Sequence, residues 1–111
     1  MKPPGPPSKQ PKPPHAGALM TAIRKLAAAG SITYTTHAEQ RLSQRDIYRQ
    51  DVLDVIRIAD ISGKVTPGQN ASEWQCLVVG PPPHSSREIG IAVAVTPTTI
   101  IIVKTVEWID P

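Results

Sequence analysis

From Ala16 onward the chain moves between two rhythms of apolar and polar residues. Leu19, Ala22, Ile23 and Leu26 recur at helical spacing, with Arg24 and Lys25 on the opposite face. This predicts a helix that Gly30 stops. Residues 31–34 (Ser-Ile-Thr-Tyr) are short and β-branched and predict a brief strand. Thr35 and Thr36 supply hydroxyls that can cap a following helix over residues 37–44. Val52, Val55, Ile56 and Ala59 then form the apolar stripe of a helix over residues 48–59.

Beyond Ala59 the period falls to two. Residues 62–66, 72–79, 88–96 and 99–107 read as strands, punctuated by Pro67-Gly68, by Gly80 with three prolines, and by Pro97-Thr98. Residues 100–103 are apolar on both faces, which predicts a central strand. Helices followed by a meander predict an α+β domain. Its N-terminal helices would pack on one face of a four-stranded, mainly antiparallel sheet. Alternation puts Trp74 in the core and Gln75 on the opposite face.

Composition changes the picture at the N-terminus. The first fourteen residues hold seven of the thirteen prolines and three of the twelve Lys and Arg (Lys2, Lys9 and Lys12), with no acid. Proline donates no backbone hydrogen bond and fixes φ. Residues 1–15 therefore predict a disordered, polyproline-II-like tail, serving either as a docking arm or as a spacer, and residues 16–109 predict one domain. With those three lysines set aside, the other nine Lys and Arg balance nine Asp and Glu. The net charge of +3 thus belongs to the tail, and nucleic-acid binding would need clustering within the domain.

The single cysteine, Cys76, excludes an intramolecular disulfide and suits a reducing, cytoplasmic setting. No apolar run approaches the roughly 20 residues of a membrane span, and the lysine-bearing N-terminus lacks the apolar core of a secretory leader. There is no Walker loop, no GxGxxG and no HxxxH pair. Neither a cofactor nor a metal is expected.

The most informative segment is HAEQRLSQRDI, residues 37–47. Steps of four residues advance about 40° around a helix, so His37, Arg41 and Arg45 span roughly 80° of one face. Like charges stacked this way cost a few tenths of a kcal/mol per pair unless an anion faces them. A phosphate would satisfy them, because arginine forks onto phosphate oxygens and histidine transfers protons near neutral pH. Glu39, Asp46, Glu73 or Glu88 are the alternative partners.

A second cluster comprises Lys64, Gln75, Arg87 and Lys104, polar residues among apolar strands. Lys104 follows four apolar residues; it can stabilise a phosphorane-like transition state or guard a sheet edge. His84, in the loop GPPPHSSRE, is either a general acid or an exposed bystander. RNA cleavage without metal needs a base for the 2′-hydroxyl, an acid for the 5′-oxygen and cations around the phosphate. Histidine, arginine and lysine suffice for that.

Residues 37–47, followed by YRQDVLDVI, resemble the bacterial family known as domain of unknown function 4258, through His37, Ala38, Arg41, Arg45, Asp51 and Val52. Over residues 20–107 the chain is also similar to MqsR-type toxins of the RelE superfamily. An Arg-Lys-Leu-Ala-Ala-Ala-Gly stretch precedes a β-branched strand, Lys64 precedes Trp74-Gln75, and an Ile- and Val-rich hairpin follows. The resemblance implies a RelE/MqsR-like fold and a metal-free endoribonuclease of a type II toxin-antitoxin system. Such a protein cuts mRNA and is silenced by a cognate antitoxin. The other option is a non-catalytic RNA- or protein-binding module of that fold. Residue pattern and resemblance together assign His37, Lys64, Gln75 and Lys104 to catalysis, and Arg41, Arg45 and Arg87 to RNA phosphates. The toxins' tyrosine falls near Ile91, where this chain has none.

Overall fold

The computed structural model describes residues 12–109. Residues 1–11, most of the expected tail, lie outside the described residues, and residues 12–15 lead without regular structure into the first helix. The elements in order are α1 (Ala16–Ala28), β1 (Ile32–Tyr34), α2 (Thr36–Arg45), α3 (Arg49–Ile58), β2 (Asp60–Pro67), β3 (Trp74–Gly80), β4 (Ile89–Thr96) and β5 (Ile100–Trp108). The strands form one sheet in the order β1-β5-β4-β3-β2.

The α+β class and the helix positions agree with the sequence pattern, but the strand count does not. The sheet has five strands, because the brief strand over residues 32–34 joins it. It pairs in parallel with Ile101–Val103 of β5, while the other neighbours are antiparallel. A three-residue strand has too few bonds to stand alone; the exposed outer edge of β5 gives it a partner.

Each helix has an identifiable local cause. Thr35 Oγ1 accepts from Ala38 N at 3.0 Å and starts α2. Asp51 Oδ2 accepts from Tyr48 N at 2.9 Å and starts α3. Arg24 of α1 closes the far end of α3, donating to the carbonyls of Ile56, Arg57 and Ala59 at 3.2, 3.1 and 2.6 Å. Those are carbonyls that a helix end leaves unpaired. No helix among the described residues is long and apolar enough to cross a membrane.

The core lies on one face of the sheet. Leu19 and Ile23 of α1, Leu42 of α2 and Val52 and Ile56 of α3 join a single buried cluster with Trp74, Val78, Ile91 and Val103. Each such side chain removed from water contributes roughly 1.5–3 kcal/mol. β4 divides its residues by size. Ile89, Ile91, Val93 and Val95 turn to that core, so Gly90, Ala92 and Ala94 alternate onto the other face. Small side chains along a middle strand leave that second face hollow at its centre.

Candidate functional site: a basic depression on the second sheet face

The hollow is a depression of about 340 Å³ lined by Lys64, Thr66, Gln75, Cys76, Leu77, Ala92, Val93 and Lys104. Three residues singled out from the sequence therefore come together from three strands. Gln75 sits in β3, opposite Ala94 and beside Thr66. Lys64 lies where β2 departs from regular pairing: Ser62 faces Leu77 and Thr66 faces Gln75, so four steps along β2 match two along β3. Gly63 has φ +81°, a conformation that a side-chain-bearing residue adopts only with strain, and it lets the strand make this excursion.

Lys104 is also an irregular residue. Val93 pairs with Val103 and Ala92 with Thr105, which leaves Lys104 as the extra residue of a β-bulge. Alternation from Ile102, which faces Ala94, already puts the exposed Lys104 on the depression's face, and the extra residue then brings Thr105 and Glu107 onto that face as well. Burial pushes the Cys76 thiol beneath this surface up to about 11, so it is a packing residue and not a nucleophile.

The helical trio does not line the depression; it sits on α2 at the edge of β5. β1 pairs with β5 only as far as Val103, and α2 covers the rest of that edge. Thr35 Oγ1 donates to Lys104 O at 3.2 Å at one end, and Trp108 Nε1 donates to Arg45 O at 2.9 Å at the other. Ten helical residues advance about 15 Å and four strand residues about 13 Å, so helix and edge match in length. Ala38 and Leu42 are buried in the core, and the stripe of His37, Arg41 and Arg45 flanks them.

Arg41 and Arg45 converge on one carboxylate. Arg41 Nε lies 3.2 Å from Glu107 Oε2, and Arg45 Nε donates to Glu107 Oε1 at 2.9 Å. Arg41 also contacts His37 Nε2 at 3.4 Å and Gln44 Oε1 at 3.0 Å. Glu107 pairs with Gly90, two residues from Ala92, so its side chain emerges on the face that carries the depression. None of the four carboxylates expected to answer this stripe does so. Glu39 pairs with Arg49, Asp46 takes the Tyr48 hydroxyl, and Glu73 is buried, accepting from Gln69 N and Asn70 N. Among the described residues Glu88 forms no ion pair with the stripe, whereas Glu107, which the sequence pattern did not single out, is 62 positions from Arg45.

Arg87 is elsewhere. Its guanidinium lies 4.4 Å above the Trp108 ring, in the β3–β4 loop, and it does not line the depression. His84 of the same loop is not isolated: Nε2 lies 2.7 Å from Asp51 Oδ1. That hydrogen bond, chiefly, raises its pKa. A groove between α1 and α3, lined by Arg24, Leu53 and Arg57 among others, holds none of the residues singled out for chemistry. Among the described residues no three His, Cys, Asp or Glu side chains gather as metal ligands would.

Fold and site together define a small α+β domain with a basic trough on the sheet face opposite its helices. A family model described as Domain of unknown function (DUF4258) matches residues 34–108, from the end of β1 through β5. The chain belongs to this family. No curated protein and no solved structure matches it.

Proposed function

We propose that the second sheet face binds single-stranded RNA and that the protein cleaves it without a metal ion, as a toxin-like endoribonuclease under the control of an antitoxin. The observation that carries this reading is the meeting of Lys64, Gln75 and Lys104 around one depression, with α2, the helix of His37, Arg41 and Arg45, fastened through Thr35 to the backbone of Lys104. The depression places two ammonium groups and an amide over a surface floored by Leu77 and Ala92. Phosphate binds the cations, and a base packs on the apolar floor. His37 is the exposed group able to transfer protons. The RelE/MqsR-like character is part of this proposal, resting on the Lys64, Trp74-Gln75 and Lys104 spacing.

The test is incubation of purified protein with single-stranded RNA in EDTA. The reading expects fragments ending in 2′,3′-cyclic phosphate. RNA left intact at micromolar protein rules out the nuclease.

One observation favours a second reading. Arg41 and Arg45 are engaged by Glu107, which removes one unit of positive charge from the α2 stripe. A non-catalytic RNA-binding module of the same fold would use the depression alone. It would bind RNA, leave it uncut, and lose affinity on substitution of Lys64 or Lys104.

A further inference from the structure

We infer that Glu107 is the second proton-transfer group of this site, paired with His37 across Arg41, and that the scissile phosphate seats on Arg41 between them. This rests on the ribonuclease reading above and adds a catalytic residue to it.

The geometry centres on one nitrogen. Arg41 Nε donates to His37 Nε2 at 3.4 Å and lies 3.2 Å from Glu107 Oε2, an ion-pair contact. Imidazole and carboxylate therefore flank the same guanidinium within a few ångströms. Cleavage of RNA by its own 2′-hydroxyl is an in-line displacement at phosphorus. The attacking and leaving oxygens lie on opposite sides, so acid and base must bracket the phosphate. A cation must meet the non-bridging oxygens between them. Glu107 and His37 both reach Arg41, the cation that would meet those oxygens.

Accessibility and economy of contacts agree. About a third of the Arg41 and Glu107 side chains remains exposed (31% and 37%), and His37 is exposed. A purely structural role for Glu107 would be to pin α2 to β5. That helix is already fastened at its start by Thr35 on Lys104 and at its end by the Trp108 indole on Arg45.

The reaction balances with the chain's own groups. The Glu107 carboxylate takes the 2′-hydroxyl proton as the 2′-oxygen bonds to phosphorus. The P–O5′ bond breaks, and the 5′-oxygen keeps its electron pair and takes a proton from the His37 imidazolium. The products are a 2′,3′-cyclic phosphate and a 5′-hydroxyl. When His37 is protonated it no longer accepts from Arg41, and the Nε–H then serves Glu107 or the incoming phosphate.

The test measures single-turnover cleavage and RNA affinity separately, with the thermal midpoint as a control on folding. Glu107→Gln is expected to cut at least about a hundredfold more slowly, to keep its RNA affinity, and to lose the acidic limb of the pH–rate profile. RNA with sulfur in place of the 5′-bridging oxygen has a leaving group that needs no acid. On it His37→Ala regains its rate and Glu107→Gln does not. If Glu107→Gln fails to fold, Glu107→Asp serves: it should cleave slowly and keep the acidic limb, and a wild type without that limb overturns the assignment. Equal cleavage by Glu107→Gln and wild type, or parallel loss of rate and affinity with both limbs intact, overturns Glu107 and leaves the ribonuclease standing. A wild type that neither binds nor cuts RNA removes both.

Discussion

His84 Nε2 lies 2.7 Å from Asp51 Oδ1, a contact between the β3–β4 loop and the start of α3. Asp51 is buried, and its other oxygen accepts from Tyr48 N. One carboxylate thus caps a helix and holds a loop. The hydrogen bond to Asp51 is the main reason that the His84 pKa is raised, and the Asp51 and Asp54 charges add to it against desolvation.

That direction fixes a pH dependence. A histidine that gains a partner on folding stabilises the folded state most fully below its unfolded value of 6.5, and the contribution fades as pH rises through the higher folded value. The thermal midpoint of the wild type should exceed that of His84→Asn at about pH 5.5, and the two should converge by about pH 8.5. The exposed ring keeps the difference small.

Arg24 joins two helices through three backbone carbonyls, with Asp60 at 3.5 Å beside it. Arg24→Ala should lower stability by about 1.5–3 kcal/mol in urea titration. Arg24→Lys should recover only part of this, because a single ammonium cannot reproduce the fork.

Gly80 is a site of close approach. A Cβ there would stand 2.7 Å from the Ala59 Cβ, which is fixed to the backbone at the end of α3 and cannot swing aside. Gly80→Ala should cost about 1–3 kcal/mol by strand or helix displacement, read from the denaturant midpoint.

The depression predicts a particular kind of binding. Lys64→Ala and Lys104→Ala should each weaken RNA affinity similarly for all sequences and flatten the salt dependence by about one unit of slope. Arg57→Ala, at the α1–α3 groove, should leave that slope unchanged. Filter binding over a range of salt concentrations reads both.

How much of this was legible in the chain differs by element. Val52, Val55 and Ile56 place α3 without help, because helical periodicity is written into neighbouring residues. The same holds for Trp74 and Gln75, whose opposite faces follow from alternation. The fifth strand is only half legible: residues 32–34 have strand character, but their partner lies at residues 101–103, and periodicity does not name partners. The Lys104 bulge left no signature in a run of apolar residues. Glu107 is illegible for the same reason: it meets Arg41 and Arg45 only through the fold, from 62 positions beyond Arg45. One available signal was missed. The alternation of large with small residues through Ile89, Gly90, Ile91, Ala92, Val93 and Ala94 foretells a core face and a hollow one.

The most direct test of the central claim, that RNA lies on the sheet face away from the helices, is amide chemical-shift mapping during titration with a short single-stranded RNA. The account predicts that the resonances of Lys64, Gln75, Ala92, Lys104 and Glu107 move together and saturate at one concentration. Shifts confined to the α1–α3 groove, or no shifts at all, would contradict it.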